Sequence, residues 1–424
     1  MGWKESPPSD AASRAASFRT THLLTASLAL ASCGAPALGP DATVDDAATP
    51  GDATAQDAAS REDGPAGALL DRADAIMGPA FAATPADLSQ CVGGIAVIVT
   101  PSEELVHGWG ATSLGGTTPP DARTLFQVGS ITKVFTGLGM ARLVEDGAFG
   151  PGTPADALLA EDLRGTAASW PTMGALITHH GGFPVFPDNL VDRDGDGRRD
   201  PDIDPRSPAA GYDRDDLRAA LEGWSAAPDA PYVYSNLGLG LAGLAMQDHL
   251  GLASYDATLR RLVTEDLGMF ETWGEVSAIA PAARARLAAG YIVEGSGRAA
   301  GIPGEMGVLA SAGEIVTTGE DMRRFLRAVT GLAPGALDGA IARATAPLAE
   351  GPDGRAMGYA IEVEESAGLV LYRKGGNTSS YAAYVLWSTG PPVGVAVLTN
   401  CGGFMAVVGL AESLHEASRA GTPG

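Results

Sequence analysis

Leu125-Phe126-Gln127-Val128-Gly129-Ser130-Ile131-Thr132-Lys133 runs directly into Val134, Phe135, Leu138, Leu143 and Val144 before stopping at Asp146-Gly147. The second half of this stretch reads as an apolar helix closed by a turn. Ser130 then lies at the N-terminal end of the helix, with Lys133 one turn on and on the same face. The free amides and dipole at that end favour negative charge developing near Ser130. An amine pressed against an apolar helix loses protonation and can take a proton from a serine hydroxyl. Taken alone, the Ser-x-x-Lys spacing fits a capping serine and a surface lysine equally well.

Composition favours the chemical reading. Lysine occurs three times in 424 residues, at Lys4, Lys133 and Lys374, against 25 arginines. Arginine serves wherever a surface charge is enough, and only lysine can be deprotonated in a working site. Lys133 and Lys374 therefore stand out before any motif is considered. The net charge of −23 argues against nucleic acid as a partner. A hydrophobic fraction of 45% suits one large domain or two modest ones. Three cysteines do not make a disulfide scaffold and lack zinc-site spacing. His179 and His180 are adjacent, the wrong spacing for two ligands on one helix face, so a zinc hydrolase is a distant third reading.

Two further stretches carry chemistry. In Pro231-Tyr232-Val233-Tyr234-Ser235-Asn236-Leu237-Gly238, Tyr234 and Asn236 are two apart and share one side of an extended backbone. A phenol and a carboxamide there could exchange protons with a leaving group and hold a substrate carbonyl. A helix-start cap explains the same residues. Lys374-Gly375-Gly376-Asn377 follows the strand-like run Leu369–Arg373. Its glycines suit either close approach of a substrate backbone at an edge strand or an ordinary turn. Strand-like runs Tyr381–Trp387 and Val393–Thr399 and a closing helix near Met405–Leu414 come next. Near the other end, a helical pattern begins at about Ala68, and strands Gly93–Thr100 and Glu104–Trp109 are joined by Pro101-Ser102-Glu103.

Ser130-x-x-Lys133, Tyr234-x-Asn236 and Lys374-x-Gly376 together resemble, in order and separation, the three motifs of the class C beta-lactamase and D-alanyl-D-alanine carboxypeptidase family, which also contains esterases. Leu176-Ile177-Thr178-His179-His180-Gly181-Gly182-Phe183-Pro184 and Val316-Thr317-Thr318-Gly319-Glu320-Asp321-Met322 are similar to further stretches of that family. The likeness covers roughly residues 68–420. It implies an α+β fold of beta-lactamase/transpeptidase type, an antiparallel sheet flanked by terminal helices with a mostly helical subdomain inserted at about 131–300. It also implies that Ser130 attacks the carbonyl while Lys133 and Tyr234 move protons. Asn236 would hold the substrate, and Lys374 would attract its carboxylate or tune Tyr234. The amides of Ser130 and Asn377 would form the oxyanion hole. No cofactor is implied for catalysis.

Gly375 departs from the family pattern. Beta-lactamases usually carry threonine or serine there, and the lost hydroxyl removes a charge-assisted hydrogen bond to a substrate carboxylate, worth roughly 1.5–3 kcal/mol. This tilts the reading towards an esterase or peptidase. In the resembled fold the first and last strands are antiparallel neighbours, which implies a Cys91–Cys401 bridge, against two free half-buried thiols. Asp192-Arg193-Asp194-Gly195-Asp196-Gly197-Arg198-Arg199-Asp200 has calcium-loop spacing, with Asp192, Asp194, Asp196 and Asp200 as ligands. Ile203 stands where the usual closing glutamate would be, so a solvated acidic insertion fits as well as a structural calcium site.

The N-terminal region reads as an export signal. Lys4, Arg14 and Arg19 precede the short apolar run Leu23–Leu30 and then Ala31-Ser32-Cys33, a pattern that resembles a bacterial lipobox with Cys33 lipidated. Residues 34–67, rich in Ala and Asp, read as a flexible tether. The expectation is a monomer, anchored to a bacterial membrane by lipid, periplasmic or at the cell surface, that hydrolyses a small-molecule or peptidoglycan-peptide substrate: an ester, a D-Ala-D-Ala-type peptide or a beta-lactam. The competing reading is a penicillin-binding or sensing lipoprotein of the same fold that does not turn substrate over.

Overall fold

The computed structural model describes residues 65–81, 88–227, 229–366 and 368–420, which belong to one compact unit spanning 60–424. The expected signal over 1–33 with Cys33, and the expected tether up to residue 64, lie outside the described residues. The first helix begins at Pro65, slightly ahead of the expected start.

In chain order the elements are α1 (Pro65–Met77), β1 (Gly93–Val99), β2 (Glu104–Gly110), β3 (Leu125–Gln127) and α2 (Thr132–Glu145). Next come α3 (Met173–Ile177), α4 (Arg214–Leu221), α5 (Asn236–Leu250), α6 (Tyr255–Leu259) and α7 (Pro281–Arg284). The hairpin β4 (Tyr291–Glu294) and β5 (Gly297–Ala300) precedes β6 (Val316–Thr318), α8 (Gly319–Val329) and α9 (Asp338–Thr345). The chain ends with β7 (Ala349–Glu350), β8 (Ala356–Met357), β9 (Glu362–Ser366), β10 (Leu369–Asn377), β11 (Ala382–Thr389), β12 (Pro392–Thr399) and α10 (Val407–Ala420).

Eight strands form one antiparallel sheet in the order β2-β1-β12-β11-β10-β9-β8-β7. Every residue of β1 is buried, as expected of a strand covered on both faces. One face carries Ile95, Val97, Val385, Trp387 and Leu398, with α8 packed on it and residues of α2 and α5 in the same core. The other carries Ala96, Ile98, Leu386, Val395 and Val397 beneath Leu69, Ala73 and Met77 of α1 and Val407, Ala411 and Leu414 of α10. Helices α2 and α5 are buried nearly all round, with Leu237–Met246 forming ten consecutive buried positions. Such helices belong to the interior of a large domain rather than to its surface. No helix among the described residues is long and apolar enough to cross a membrane.

The register Gly94↔Thr399 sets the start of β1 beside the end of β12, where Cys91 and Cys401 form a disulfide with Cα atoms 5.8 Å apart. Of the two readings of Lys374-Gly375-Gly376-Asn377, the structure has the strand: β10 runs past Arg373 and continues through Asn377, paired with Ala382 on β11. The short strands β7, β8 and β9 extend the sheet past β10, and nothing in their sequence announces them.

Candidate active site

Ser130 sits in a single 3-10 turn, Gly129–Ile131, that feeds into α2. Gly129 takes φ 52°, and a Cβ there would stand 2.7 Å from the Asn377 nitrogen. Only glycine meets both demands. Strand β10 presses against this turn closely enough that a Cβ on Gly376 would lie 1.9 Å from the Val128 carbonyl oxygen.

The register also aims a backbone amide. The Thr378 amide donates to Tyr381 O at 2.8 Å, so 378/381 is a bonded pair of the β10–β11 ladder. Bonded and non-bonded pairs alternate in an antiparallel ladder. Asn377, paired with Ala382, therefore turns its N–H away from β11, towards the turn that holds Ser130. Its side-chain Oδ1 accepts from the Gly403 amide at 2.8 Å.

Lys133 is fully buried. Its Nζ lies 3.0 Å from Ser130 Oγ and donates to Asn236 Oδ1 at 2.7 Å and Ala312 O at 2.5 Å. Burial, reinforced by the charge of Lys374, holds its pKa well below the usual lysine value. A neutral amine keeps two N–H groups, one for Asn236 and one for Ala312, and turns its lone pair to the serine. Tyr234 donates its hydroxyl to Ser130 Oγ at 2.6 Å. Burial raises the phenol's pKa far above its ordinary value, so it stays protonated at neutral pH. The serine oxygen thus lies between one proton acceptor and one proton donor.

Tyr234 is fixed by its neighbours. Ser235 caps α5, accepting from the Gly238 amide and donating to Pro184 O at 2.6 Å. His179, in the left-handed region at φ 65°, accepts the Val233 amide on its carbonyl at 2.9 Å and the Ser235 amide on Nδ1 at 3.1 Å. Its ring stacks at a tilt on Tyr234, centroids 4.6 Å apart. Burial first, then the charges of Lys374 and Lys133, push the imidazole pKa down to about 2. A neutral ring accepting at Nδ1 carries its proton on Nε2, and Nε2 is buried without a hydrogen-bond partner among the described residues.

Lys374, also buried, points its Nζ at the Tyr234 ring, 5.2 Å from the centroid. Burial lowers its pKa and Glu362 opposes that shift, their charged atoms being 3.5 Å apart. Gly375 lies opposite Tyr384, on the sheet face that carries the terminal helices. Ser130, Lys133, Tyr234, Asn236, Lys374, Gly376 and Asn377 are thus brought to one place. Among the described residues the histidines join no group of three or more potential metal ligands; His180 Nδ1 lies 2.8 Å from Thr178 O and His179 Nδ1 accepts from Ser235. Ala312 and Glu362 went unnoticed in the sequence, the first because a backbone carbonyl has no side-chain signature. His179 stood out only as part of a similar stretch.

The acidic loop lies apart from these motifs in sequence. Asp192, Asp194 and Asp200 each offer a carboxylate oxygen within 4.8 Å of the others. Asp196 is not among them; its Oδ1 accepts the Arg198 amide at 2.8 Å. Asp192 Oδ2 accepts from Gly197, while its Oδ1 is buried without a partner among the described residues.

The family description beta-lactamase matches residues 80–417. No curated protein sequence matches the chain. Among solved structures, a class C beta-lactamase from Rhodobacter sphaeroides is 20% identical, with 83% of this chain and 99% of that one covered and a TM-score of 0.66. An octameric penicillin-binding protein homologue from Pyrococcus abyssi is also 20% identical, covering 84% and 77%, with a TM-score of 0.64. A further class C beta-lactamase is 18% identical, covering 86% and 99%, with a TM-score of 0.67. At such identities these likenesses bear on the fold alone.

Proposed function

The chain belongs to the beta-lactamase family, and from that premise we propose that it is a serine acyl hydrolase working through an acyl-enzyme on Ser130. The observation that carries this is the position of Ser130 Oγ, 3.0 Å from Lys133 Nζ and 2.6 Å from Tyr234 OH. Neutral Lys133 takes the serine proton as Oγ bonds to the substrate carbonyl carbon. The oxyanion is held by the amides of Ser130 and Asn377. Tyr234 passes its proton to the leaving group as the carbonyl–heteroatom bond breaks, and regains one from Lys133. Water, deprotonated by the same groups, then releases the acid and restores the serine. Side chains and water account for every proton. The substrate is a carboxylic ester, a D-Ala-D-Ala-type peptide or a beta-lactam.

The test is intact mass spectrometry of the protein after exposure to a fluorescent penicillin and to a fluorophosphonate, beside Ser130→Ala and Lys133→Ala. An adduct on the wild type that both substitutions abolish is expected, with the penicilloyl adduct decaying as it hydrolyses. A permanent penicilloyl adduct would identify a sensor instead. No adduct with either probe on folded protein would sink the nucleophile assignment.

Two accessory readings join this one. We propose that the chain is exported as a monomer and anchored through a lipid on Cys33; Cys33→Ala should then release it from membranes, and retention would refute the anchor. We also propose that Asp192, Asp194 and Asp200 bind calcium in a stabilising role, supported by the unpartnered Asp192 Oδ1. Calcium should then raise the melting temperature of the wild type but not of Asp192→Asn, and an equal response would refute the site.

A further inference from the structure

Glu362 opens β9, and its carboxylate lies 3.5 Å from the Lys374 ammonium, with 21% of the glutamate side chain exposed against 3% of the lysine's. Lysine is the cation that a carboxylate-bearing substrate would need at this end of the site, beside the Tyr234 phenol that serves the leaving group. Here it is already ion-paired. Nor is a spare cation at hand on the neighbouring strands. Arg355 is paired with Asp353 and Glu364, and Arg373 with Glu364 and Glu412. The charges of Glu362 and Asp353 both reach Tyr232, adding to the burial that raises its phenol.

Resting on the acyl-hydrolase reading, we infer that Glu362 is a specificity-determining residue that turns the leaving-group end of the cleft against anionic substrates and opens it to neutral or ammonium-bearing esters. A carboxylate entering beside Lys374 would have to share the lysine with Glu362 and stand against a like charge, which disfavours it. A neutral group leaves the Glu362–Lys374 pair undisturbed. A quaternary or primary ammonium finds in Glu362 a partly desolvated partner of opposite charge. This separates the present site from one built to take a peptide's terminal carboxylate, and it singles out the ester among the three candidate substrates.

The experiment uses the full chain and three phenylacetate esters that differ only in the alcohol: glycolate, glycolamide and choline. Rates are read as kcat/KM for wild type, Glu362→Gln and Glu364→Gln. Each ratio between esters is taken on one protein sample, so a loss of folded protein cancels. For the wild type the glycolate ester should be slower than the glycolamide ester by roughly 10-fold or more, and the choline ester at least as fast as the glycolamide. Glu362→Gln should raise the glycolate-to-glycolamide ratio by about 10-fold, while Glu364→Gln, whose partners are arginines, should leave it in place. The proposal is overturned if wild type prefers the glycolate ester, if Glu362→Gln does not move the ratio, or if Glu364→Gln moves it equally. Hydrolysis of none of the three esters, with Ser130 unlabelled by fluorophosphonate, takes down the acyl-hydrolase reading itself.

Discussion

Ala312 receives a proton of Lys133 on its carbonyl oxygen at 2.5 Å, a contact made by backbone across 179 residues of chain. With Asn236 Oδ1 as the second acceptor, the amine is oriented in its neutral form, lone pair towards Ser130. Replacing Asn236 by Asp sets a negative charge beside the amine and favours the ammonium. The acid limb of the pH–rate profile for acylation, which reports loss of that proton, should therefore move to higher pH in Asn236→Asp. A limb that stays in place would show that Lys133 is not the titrating base.

His179 brackets Tyr234 by accepting the amides of Val233 and Ser235 on either side of it. His179→Ala strands the buried Ser235 amide, at about 1–3 kcal/mol, and places alanine in left-handed backbone. Asparagine tolerates that backbone and can return an acceptor. We expect kcat to fall roughly 100-fold in His179→Ala, with partial recovery in His179→Asn and little change in KM. Equal losses in both variants would mean that the ring, not the bracket, matters.

Gly376 and Gly375 are neighbours with opposite tolerance. A Cβ at Gly376 would lie 1.9 Å from backbone oxygen of Val128, whereas one at Gly375 meets the Tyr384 ring at 3.4 Å. Gly376→Ala should lower acylation by about 100-fold or more, since it displaces the Asn377 amide from the developing oxyanion. Gly375→Ala should acylate like the wild type. Labelling by fluorophosphonate, with circular dichroism to verify folding, reads both; rapid acylation by Gly376→Ala would contradict the close approach.

Glu314 is a buried carboxyl that joins two loops, accepting the amides of Val276 at 2.8 Å and Met306 at 2.7 Å. Burial pushes its pKa up to about 7, against 4.5 for the free group. The folded state therefore holds its proton while the unfolded chain loses it, and stability falls as pH rises from about 4.5 to about 7. The loss amounts to ~3 kcal/mol. Thermal melts of wild type and Glu314→Gln across that range should converge at low pH, and the variant should keep a flatter profile as pH rises. Parallel profiles would assign the pH dependence to other groups.

Much of this site is legible in the sequence because its chemistry is local. Ser130 and Lys133 are one helical turn apart, and Tyr234 and Asn236 are two residues apart, so spacing alone sets each pair on one side. Bringing the pairs together is a matter of topology, for which the order of the three motifs supplied the resemblance. The remainder leaves weaker traces. Strands β7 and β8 have two residues each, too few for an alternation to show. Ten buried residues in succession deprive α5 of any amphipathic stripe, so its packing partners cannot be inferred from period. Glu362 meets Lys374 only because β9 folds back along β10, and in sequence it is one acidic residue among three within four positions.

Helices α1 and α10 pack together on one face of the sheet, while Ile131 and Val134, beside Ser130 and Lys133, belong to the core on the other. Helix α1, which starts at Pro65, thus covers the face of the sheet opposite that core. A bead coupled to the outward side of α1 would leave the catalytic side of the sheet free, and protein immobilised in this way should meet bulky acyl donors as readily as protein free in solution.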